Sequence, residues 1–147
     1  MAEEIIEQGY RELADTILEH NPGVDLGRVR AAFELADRAH SGQKRKAGTP
    51  YVTHCVAAAQ ICAEMGLDED SIVAALLHDC IEDTAITHED IARQFGAEVA
   101  DIVEGVTKLT RVQFTSREDE QMENLRKMLM AMAKDIRVIL IKIADRL

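Results

Sequence analysis

Apolar side chains recur every three or four residues along most of the chain, the pattern expected of helices with one buried face. The first such segment runs from residue 3 to residue 19 and stops at the turn sequence Asn21-Pro22-Gly23. Its apolar positions are Ile5, Ile6, Leu13, Ile17 and Leu18. The spacing predicts an amphipathic first helix whose role is packing.

Residues that favour helix starts and ends place the next two helices. Asp25 is suited to cap a helix that ends at Ser41-Gly42. Thr49 as N-cap and Pro50 at the first helical position then predict a third helix, which is closed by Gly66.

The central helix is predicted by the run Ile72-Val73-Ala74-Ala75-Leu76-Leu77, which is apolar on every side and follows Asp68 as its cap. Next, the stretch Thr87-His88-Glu89-Asp90 resembles a capping sequence for a short helix that ends at Phe95-Gly96, with His88 at the surface. Residues 97–109 continue as another helix. Its inward positions are Val99, Ile102, Val103 and Val106.

Two helices complete the pattern. One begins near Ser116 and Asp119 and continues through Met132, with a stripe of Met and Leu side chains that favours core packing or a flexible flank. The other covers residues 136–147 and is almost wholly apolar, yet it carries Asp145. It reaches the last residue without a cap, so we expect a C-terminally truncated piece of a longer protein.

Composition agrees with an all-α domain. Of the 147 residues, 47% are apolar, only 3% are aromatic and two are proline, which favours a helical bundle over a sheet protein. That length suits one domain, residues 1–147. We predict reduced core thiols for the three cysteines, which lie in apolar helical context without a C-x-x-C pair: Cys55, Cys62 and Cys80.

Charge and hydropathy exclude two classes of function. The net charge of −10 argues against nucleic acid as a partner of this domain. No apolar run approaches the ~20 residues that span a membrane, and no signal-peptide pattern opens the chain. We therefore expect a cytoplasmic protein without a membrane segment.

Candidate chemistry concentrates where the central apolar run ends, at His78, Asp79, Glu82 and Asp83. In a continuous helix these side chains form two pairs spaced four residues apart, His78 with Glu82 and Asp79 with Asp83. Carboxylates beside a core need a cation, a hydrogen-bond network or a proton. The stretch predicts a metal site, and a solvated helix end is the alternative.

Two further residues extend this set. His54 lies one turn inside its predicted helix, and Asp145 lies in the apolar last helix, where a carboxylate needs a compensating positive charge. A salt bridge to Lys142 or Arg146 is the alternative for Asp145, and a packed or surface position is the alternative for His54. With His78-Asp79 they give two imidazoles and two carboxylates, a set suited to Mn, Fe, Zn or Co and less well to Mg.

One basic cluster, Lys44-Arg45-Lys46, stands out in this acidic chain. Its cations are suited to phosphate groups or to stacking on a base. A solvated basic loop is equally compatible with the sequence. A Gly-x-Pro-Tyr sequence follows the cluster and leads into the helix of His54.

Four stretches of the chain, taken in order, resemble the HD superfamily of metal-dependent phosphohydrolases. More narrowly, they resemble the N-terminal hydrolase domain of the RelA/SpoT family, the (p)ppGpp synthetase/hydrolases of the bacterial stringent response. The stretches are residues 42–54, 75–84, 105–109 and 141–147, within a resemblance over roughly residues 27–147. The second contains the HDxxED element that separates this family from other HD proteins. The resemblance implies an HD-domain helical bundle.

The resemblance also implies roles for individual residues. One manganese ion is bound by His54, His78, Asp79 and Asp145. Glu82 and Asp83 act in catalysis beside it. Arg45 matches the basic residue of the family's guanine pocket, with Lys46 as a weaker candidate next to it. The implied reaction removes pyrophosphate from the 3′ position of (p)ppGpp and leaves GDP or GTP.

Two departures from the family pattern are visible. Cys55 stands where the family often has Pro after the first His, and the family motif continues after Leu147 with His-Asn-Met-Arg-Thr, whose Asn and Thr help to hold the nucleotide. We expect a synthetase domain elsewhere in the parent chain.

Two other functions fit the residues: an HD phosphohydrolase acting on another nucleotide, and a regulatory domain that senses a nucleotide without turnover.

Overall fold

The computed structural model describes residues 2–40, 50–110, 122–123, 125–126 and 136–146. Every regular element in these ranges is a helix. The helices are α1 (Ala2–His20), α2 (Leu26–Ala39), α3 (Val52–Glu64), α4 (Glu69–Leu77), α5 (Cys80–Asp83), α6 (His88–Phe95), α7 (Ala97–Thr110) and α8 (Ile136–Arg146). The predicted all-α fold is therefore confirmed for the described part of the chain.

Helix α4 is the centre of the bundle. Its residues from Ser71 to Leu77 are all buried, and it packs against α2, α3, α7 and α8. Asp68 caps its first turn by accepting a hydrogen bond from the Ser71 backbone N at 3.1 Å. Because α4 is enclosed by other helices, its C-terminal end delivers the next side chains into the interior.

Helix α3 begins later than the sequence predicts. Pro50 precedes the helix, and its carbonyl accepts hydrogen bonds from the Thr53 backbone N and hydroxyl at 3.1 and 2.6 Å, which close a separate turn. Tyr51 is the N-cap residue, and Thr49, the predicted cap, lies outside the described residues. At the other end, Gly66 adopts φ 72° and ends α3 as predicted.

The backbone is not one continuous helix across residues 76–84, so the condition for two side-chain pairs spaced four residues apart is not met. Helix α4 ends at Leu77 and α5 begins at Cys80, with His78 and Asp79 forming a turn between them. Asp79 has φ −97° and ψ −3°, a backbone region in which many active-site residues lie. At this break the His78 side chain contacts Asp145 of α8 and the Asp79 side chain contacts His54 of α3.

Helices α6 and α7 follow the predicted boundaries. Thr87 and Asp90 form a capping box at the start of α6, and Gly96, with φ 100°, separates α6 from α7. Helix α7 extends one residue further than predicted, to Thr110. All four of its predicted inward residues are buried: Val99, Ile102, Val103 and Val106.

Helix α8 packs against α3 and α7. Its buried hydrophobic residues are Val138, Ile141 and Ala144. Arg137 joins the first turn of α8 to the cap of α4 through Asp68, at 2.6 Å, and to α7 through Glu98, at 2.5 Å. These contacts fix α8 and therefore the position of Asp145 near its C-terminal end.

Met122 and Leu125 are the described members of the predicted Met- and Leu-rich stripe. They are 68% and 49% exposed, so core packing is wrong for these two residues. Among the described residues, the three cysteines are buried and form no disulfide, which agrees with the predicted reduced core thiols. No helix in the described ranges has both the length and the apolar character needed to cross a bilayer.

Candidate metal centre

Four ligand-type side chains from three parts of the fold converge at the C-terminal end of α4. His54 lies in the first turn of α3, His78 and Asp79 occupy the turn between α4 and α5, and Asp145 lies in the last turn of α8. One donor atom from each residue lies within 4.8 Å of the donor atoms of the others. The structure therefore brings together the four residues that the sequence singles out as metal ligands.

The two carboxylates face both imidazoles. Asp145 Oδ1 lies 3.0 Å from His78 Nε2 and makes a closer contact with His54 Nε2. Asp79 Oδ2 lies 3.1 Å from His78 Nε2 and 3.8 Å from His54 Nε2. Asp145 is thus on the same side of the bundle as the imidazoles, and the burial of His78 excludes a solvated helix end.

Three of the four donors are oriented by a further contact. His78 Nδ1 lies 2.6 Å from a backbone carbonyl oxygen one turn earlier, so Nδ1 donates to it and Nε2 faces the carboxylates. The Tyr51 hydroxyl donates to Asp79 Oδ2 at 2.8 Å, and Lys142 Nζ donates to Asp145 Oδ2 at 3.0 Å. Metal-binding imidazoles and carboxylates are commonly held by outer contacts of this kind.

The cluster is charged and largely removed from solvent. The His78 side chain is 1% exposed, and those of the other three residues are 13–15% exposed. Burial favours the neutral form of His78, but the Asp145 and Asp79 carboxylates outweigh it and raise the pKa of His78 to about 10. Burial disfavours the charged form of Asp145 as well, yet hydrogen bonds from His54 and His78 hold its pKa well below the usual range.

Two carboxylates in a largely buried cluster require a compensating positive charge. Lys142 Nζ, 3.0 Å from Asp145 Oδ2, supplies part of it, and the two carboxylates favour the charged form of His78, which raises its pKa. A divalent ion supplies positive charge at the same place, and two nitrogen and two oxygen donors match hard and borderline divalent metals. The residues of the cluster therefore fit a divalent metal ion.

Four other predicted site residues are not placed in the cluster by the structure. Glu82 and Asp83 belong to the backbone of α5, the helix that follows Asp79, and their side chains lie outside the described part. Arg45 and Lys46 lie outside the described residues altogether. Catalytic and substrate-binding roles for these four residues remain predictions.

Two residues contact the cluster although the sequence does not predict them as site residues. Lys142 enters the sequence argument only as an alternative partner of Asp145, and the structure shows that contact together with the imidazole contacts. Tyr51 enters it only as the end of the Gly-x-Pro-Tyr sequence. Its position three residues before His54 at a helix start is the signal that indicates a shared face.

A second group of ligand-type side chains lies at the surface between α6 and α7. His88 Nε2 lies 3.0 Å from Asp101 Oδ1 and 3.4 Å from Glu104 Oε2. All three side chains are more than a third exposed, so water screens their interaction. The prediction that His88 is a surface residue is confirmed.

The HD-domain family matches residues 32–147 of the sequence. This match covers well over half of the chain, and the chain belongs to the HD-domain family. Its fold is also similar to a solved structure of a metazoan ortholog of SpoT that is stated to hydrolyse ppGpp. The two share 32% sequence identity with a TM-score of 0.62, over 80% of this chain and 65% of that one. The predicted HD-domain bundle is therefore confirmed.

Curated relatives narrow the resemblance within that family. The chain is 50% identical over 137 residues to the bifunctional (p)ppGpp synthase/hydrolase SpoT of Escherichia coli K12, a match that covers 93% of this chain and 20% of the relative. It is 54% identical over 112 residues to the guanosine-3′,5′-bis(diphosphate) 3′-pyrophosphohydrolase of Haemophilus influenzae, over 76% of this chain and 16% of that protein. The chain thus spans a fifth or less of these relatives, and its resemblance to the RelA/SpoT family is confirmed.

Proposed function

We propose that the chain hydrolyses the 3′-pyrophosphate of (p)ppGpp in a Mn²⁺-dependent reaction that releases pyrophosphate and leaves GDP or GTP. The observation that carries this proposal is the convergence of two imidazoles and two carboxylates in an HD-domain chain. A relative of about half-identical sequence is named a ppGpp 3′-pyrophosphohydrolase, and the solved relative is stated to hydrolyse ppGpp. The corresponding cellular role is turnover of this nucleotide in the bacterial stringent response.

The proposed metal ligands are His54, His78, Asp79 and Asp145. When bound, a divalent ion lowers the pKa of coordinated water towards ~7 and polarises a phosphoryl oxygen. His78 offers Nε2 to the ion because Nδ1 is engaged by a backbone carbonyl. Tyr51 and Lys142 hold the two carboxylates in place from outside the cluster.

Glu82 and Asp83 are the proposed catalytic carboxylates. Helix α5 begins directly after Asp79, so both residues belong to the turn that follows a metal ligand. A carboxylate in this position orients or deprotonates the attacking water. Arg45 and Lys46 are the proposed contacts for guanine and phosphate, and their positive charge opposes the repulsion that a chain of net charge −10 exerts on an anionic substrate.

We further propose that residues 1–147 form one domain of a larger cytoplasmic protein. The E. coli relative is named a bifunctional synthase/hydrolase, which supports a synthetase domain elsewhere in the parent chain. Neither nucleic acid nor a membrane is a partner of this domain in the proposal.

The test measures pyrophosphate release from ppGpp by the Mn²⁺-loaded parent protein, with metal content determined on the same preparations. We expect His78→Ala and Asp79→Ala to abolish both metal binding and turnover, because each change removes a ligand. Glu82→Ala and Asp83→Ala are expected to reduce turnover while the metal is retained. The matched control is His88→Ala, which removes the imidazole of the surface group. We expect it to leave metal content and turnover unchanged.

Other outcomes identify other functions. Unchanged turnover in Asp79→Ala contradicts the metal site. Faster cleavage of dNTPs or nucleoside monophosphates than of ppGpp identifies an HD phosphohydrolase with a different substrate. Tight ppGpp binding at full metal occupancy, without product, identifies a regulatory domain that senses the nucleotide. Comparison of Mn²⁺ with Mg²⁺, Co²⁺ and Zn²⁺ at equal occupancy tests the identity of the metal.

A further inference from the structure

Tyr51 joins the metal-ligand cluster to a buried histidine at the end of α2. The ring of Tyr51 stacks on the His40 ring, with centroids 4.6 Å apart and planes inclined by 26°. The same ring meets the His54 imidazole edge to face, at a centroid distance of 5.8 Å. Its hydroxyl donates to Asp79 Oδ2 at 2.8 Å. Tyr51 therefore contacts two of the four proposed ligands while its ring is held by packing.

The hydroxyl of Tyr51 bonds to the carboxylate oxygen that faces the imidazoles. Asp79 Oδ2 lies 3.1 Å from His78 Nε2 and 3.8 Å from His54 Nε2. Asp79 lies in the turn between α4 and α5, and its side chain makes no capping hydrogen bond to α5. The hydrogen bond from Tyr51, which is 28 residues earlier in the chain, thus supplies an orientation that the local backbone does not supply.

We propose that Tyr51 is a positioning residue that sets the affinity of the cluster for a divalent metal ion, a role that rests on the proposed metal-dependent function. A carboxylate that is already oriented loses less conformational entropy when an ion binds. Loss of an outer hydrogen bond to a metal ligand typically weakens metal binding by roughly 10–100-fold. Because Tyr51 acts through Asp79, its removal changes metal affinity and not the turnover of the metal-saturated protein.

Tyr51→Phe isolates the hydrogen bond from the packing. Phenylalanine keeps the ring, so the stack on His40 and the contact with His54 are retained, and only the hydroxyl is lost. The chain has one other tyrosine, Tyr10, whose hydroxyl donates to a backbone carbonyl at 3.4 Å in the contact between α1 and α2. Tyr10→Phe is therefore the matched control, since it makes the same chemical change away from the cluster.

The experiment titrates Mn²⁺ into the metal-free parent protein by calorimetry, for the wild type and for both variants. We expect Tyr51→Phe to weaken Mn²⁺ binding by roughly 10–100-fold and Tyr10→Phe to leave it within about twofold of the wild type. Turnover of ppGpp measured against Mn²⁺ concentration should reach the same plateau in Tyr51→Phe, at a correspondingly higher Mn²⁺ concentration. A merely structural role of Tyr51 would not raise the Mn²⁺ concentration needed for half-maximal turnover while leaving the maximal turnover unchanged.

The outcomes separate this inference from the proposed function. Wild-type Mn²⁺ affinity in Tyr51→Phe overturns the positioning role and leaves the proposed function intact. Failure of the wild type itself to bind Mn²⁺ overturns both. If Tyr51→Phe lowers the unfolding temperature of the metal-free protein, the comparison uses the increase in that temperature on adding Mn²⁺. A purely structural loss leaves this increase at the wild-type value and overturns the inference, whereas a smaller increase supports it.

Discussion

The raised pKa of His78 means that a metal ion bound at the proposed site competes with a proton for its imidazole. A histidine in an unfolded chain has a pKa near 6.5. In the folded protein burial opposes the charged form, but Asp145 and Asp79 outweigh it and raise the pKa of His78 to about 10. A metal ligand must be neutral imidazole. Metal binding and protonation therefore compete for the same nitrogen over a range that extends well above neutral pH.

We predict that Mn²⁺ binding releases a proton from His78 and that affinity for Mn²⁺ rises with pH up to about 10, the pKa of the group that must lose its proton. The measurement is calorimetry at about pH 8 in two buffers with different ionisation enthalpies. The observed enthalpy should differ between the buffers in proportion to the protons released. An enthalpy that is the same in both buffers would show that His78 is already neutral before the metal binds.

At the scale of single residues, the sequence predicts which groups are costly to bury but not which atoms meet. Asp145 is recognisable because a carboxylate in an apolar helix needs a cation, and His78-Asp79 because they follow an apolar run. The Tyr51 contact is different, since it depends on the backbone turn at Asp79 and joins positions 28 residues apart. Local sequence carries no signal for that hydrogen bond.

Among the helices, the division between α4 and α5 is a feature that the spacing of apolar residues does not predict. Apolar residues stand on both sides of His78-Asp79, at Leu77 and at Cys80-Ile81, so their spacing is compatible with a helix that continues through this stretch. The structure interrupts it at His78-Asp79, where both side chains contact α8 or α3. Helix starts are predicted better, because the caps at Asp25, Asp68 and Thr87 act on backbone N–H groups only two or three residues away.

The approach of α8 to α7 depends on a glycine. A Cβ added at Gly105 would lie 2.7 Å from Val138 Cγ2, a contact that branched valine cannot easily relieve by rotation. Alanine favours a helix over glycine by about 1 kcal/mol, whereas overpacking costs roughly 1–3 kcal/mol. We therefore predict that Gly105→Ala lowers the free energy of unfolding, and also weakens Mn²⁺ binding because α8 carries Asp145. Urea denaturation and Mn²⁺ titration measure the two effects.

Val138→Ala provides the matched background for this test. Removing the two methyl groups of Val138 leaves room for the new Cβ, so in that background Gly105→Ala should be neutral or stabilising by up to about 1 kcal/mol. If Gly105→Ala lowers the free energy of unfolding equally in the wild type and in Val138→Ala, the contact between Gly105 and Val138 does not determine how closely α7 and α8 pack.

For the whole molecule, the candidate metal centre joins segments that are far apart in sequence. His54 and Asp145 are separated by 91 residues and lie on different helices, and His78-Asp79 follow the central helix. An unfolded chain does not bring these donors together, so an ion that binds the cluster stabilises the folded state. At a free metal concentration 100 times the Kd, the stabilisation is about 2.7 kcal/mol.

We accordingly predict that Mn²⁺ raises the unfolding temperature by several degrees and that a chelator reverses the increase. Asp145→Asn should abolish the increase, because it removes a charged ligand at nearly constant volume. The control is Asp101→Asn, which changes an exposed carboxylate of the surface group and should keep the wild-type response. Differential scanning fluorimetry at fixed protein concentration measures the three proteins. If Mn²⁺ raises the unfolding temperature of Asp145→Asn as much as that of the wild type, the ion binds at another place.

Fold class is predictable from the sequence because helical periodicity, low aromatic content and few prolines all favour one architecture. The way the helices pack is less accessible. The sequence indicates that α8 is apolar, but its placement against α3 and α7 depends on side-chain shape at contacts such as Gly105 with Val138, and on ion pairs of Arg137 with α4 and α7. These contacts between helices cannot be predicted from the sequence pattern of each helix taken alone.

The enclosure of α4 limits how this protein can change during evolution. Asp68 fixes one end of the helix through its cap, and His78 with Asp79 must point at the donors on α3 and α8 from the other end. Each inserted or deleted residue would rotate the far end by about 100° and shift it by about 1.5 Å. Insertions and deletions are consequently expected in surface turns such as residues 21–23, and the number of residues in α4 should stay constant among homologues that keep the proposed metal site.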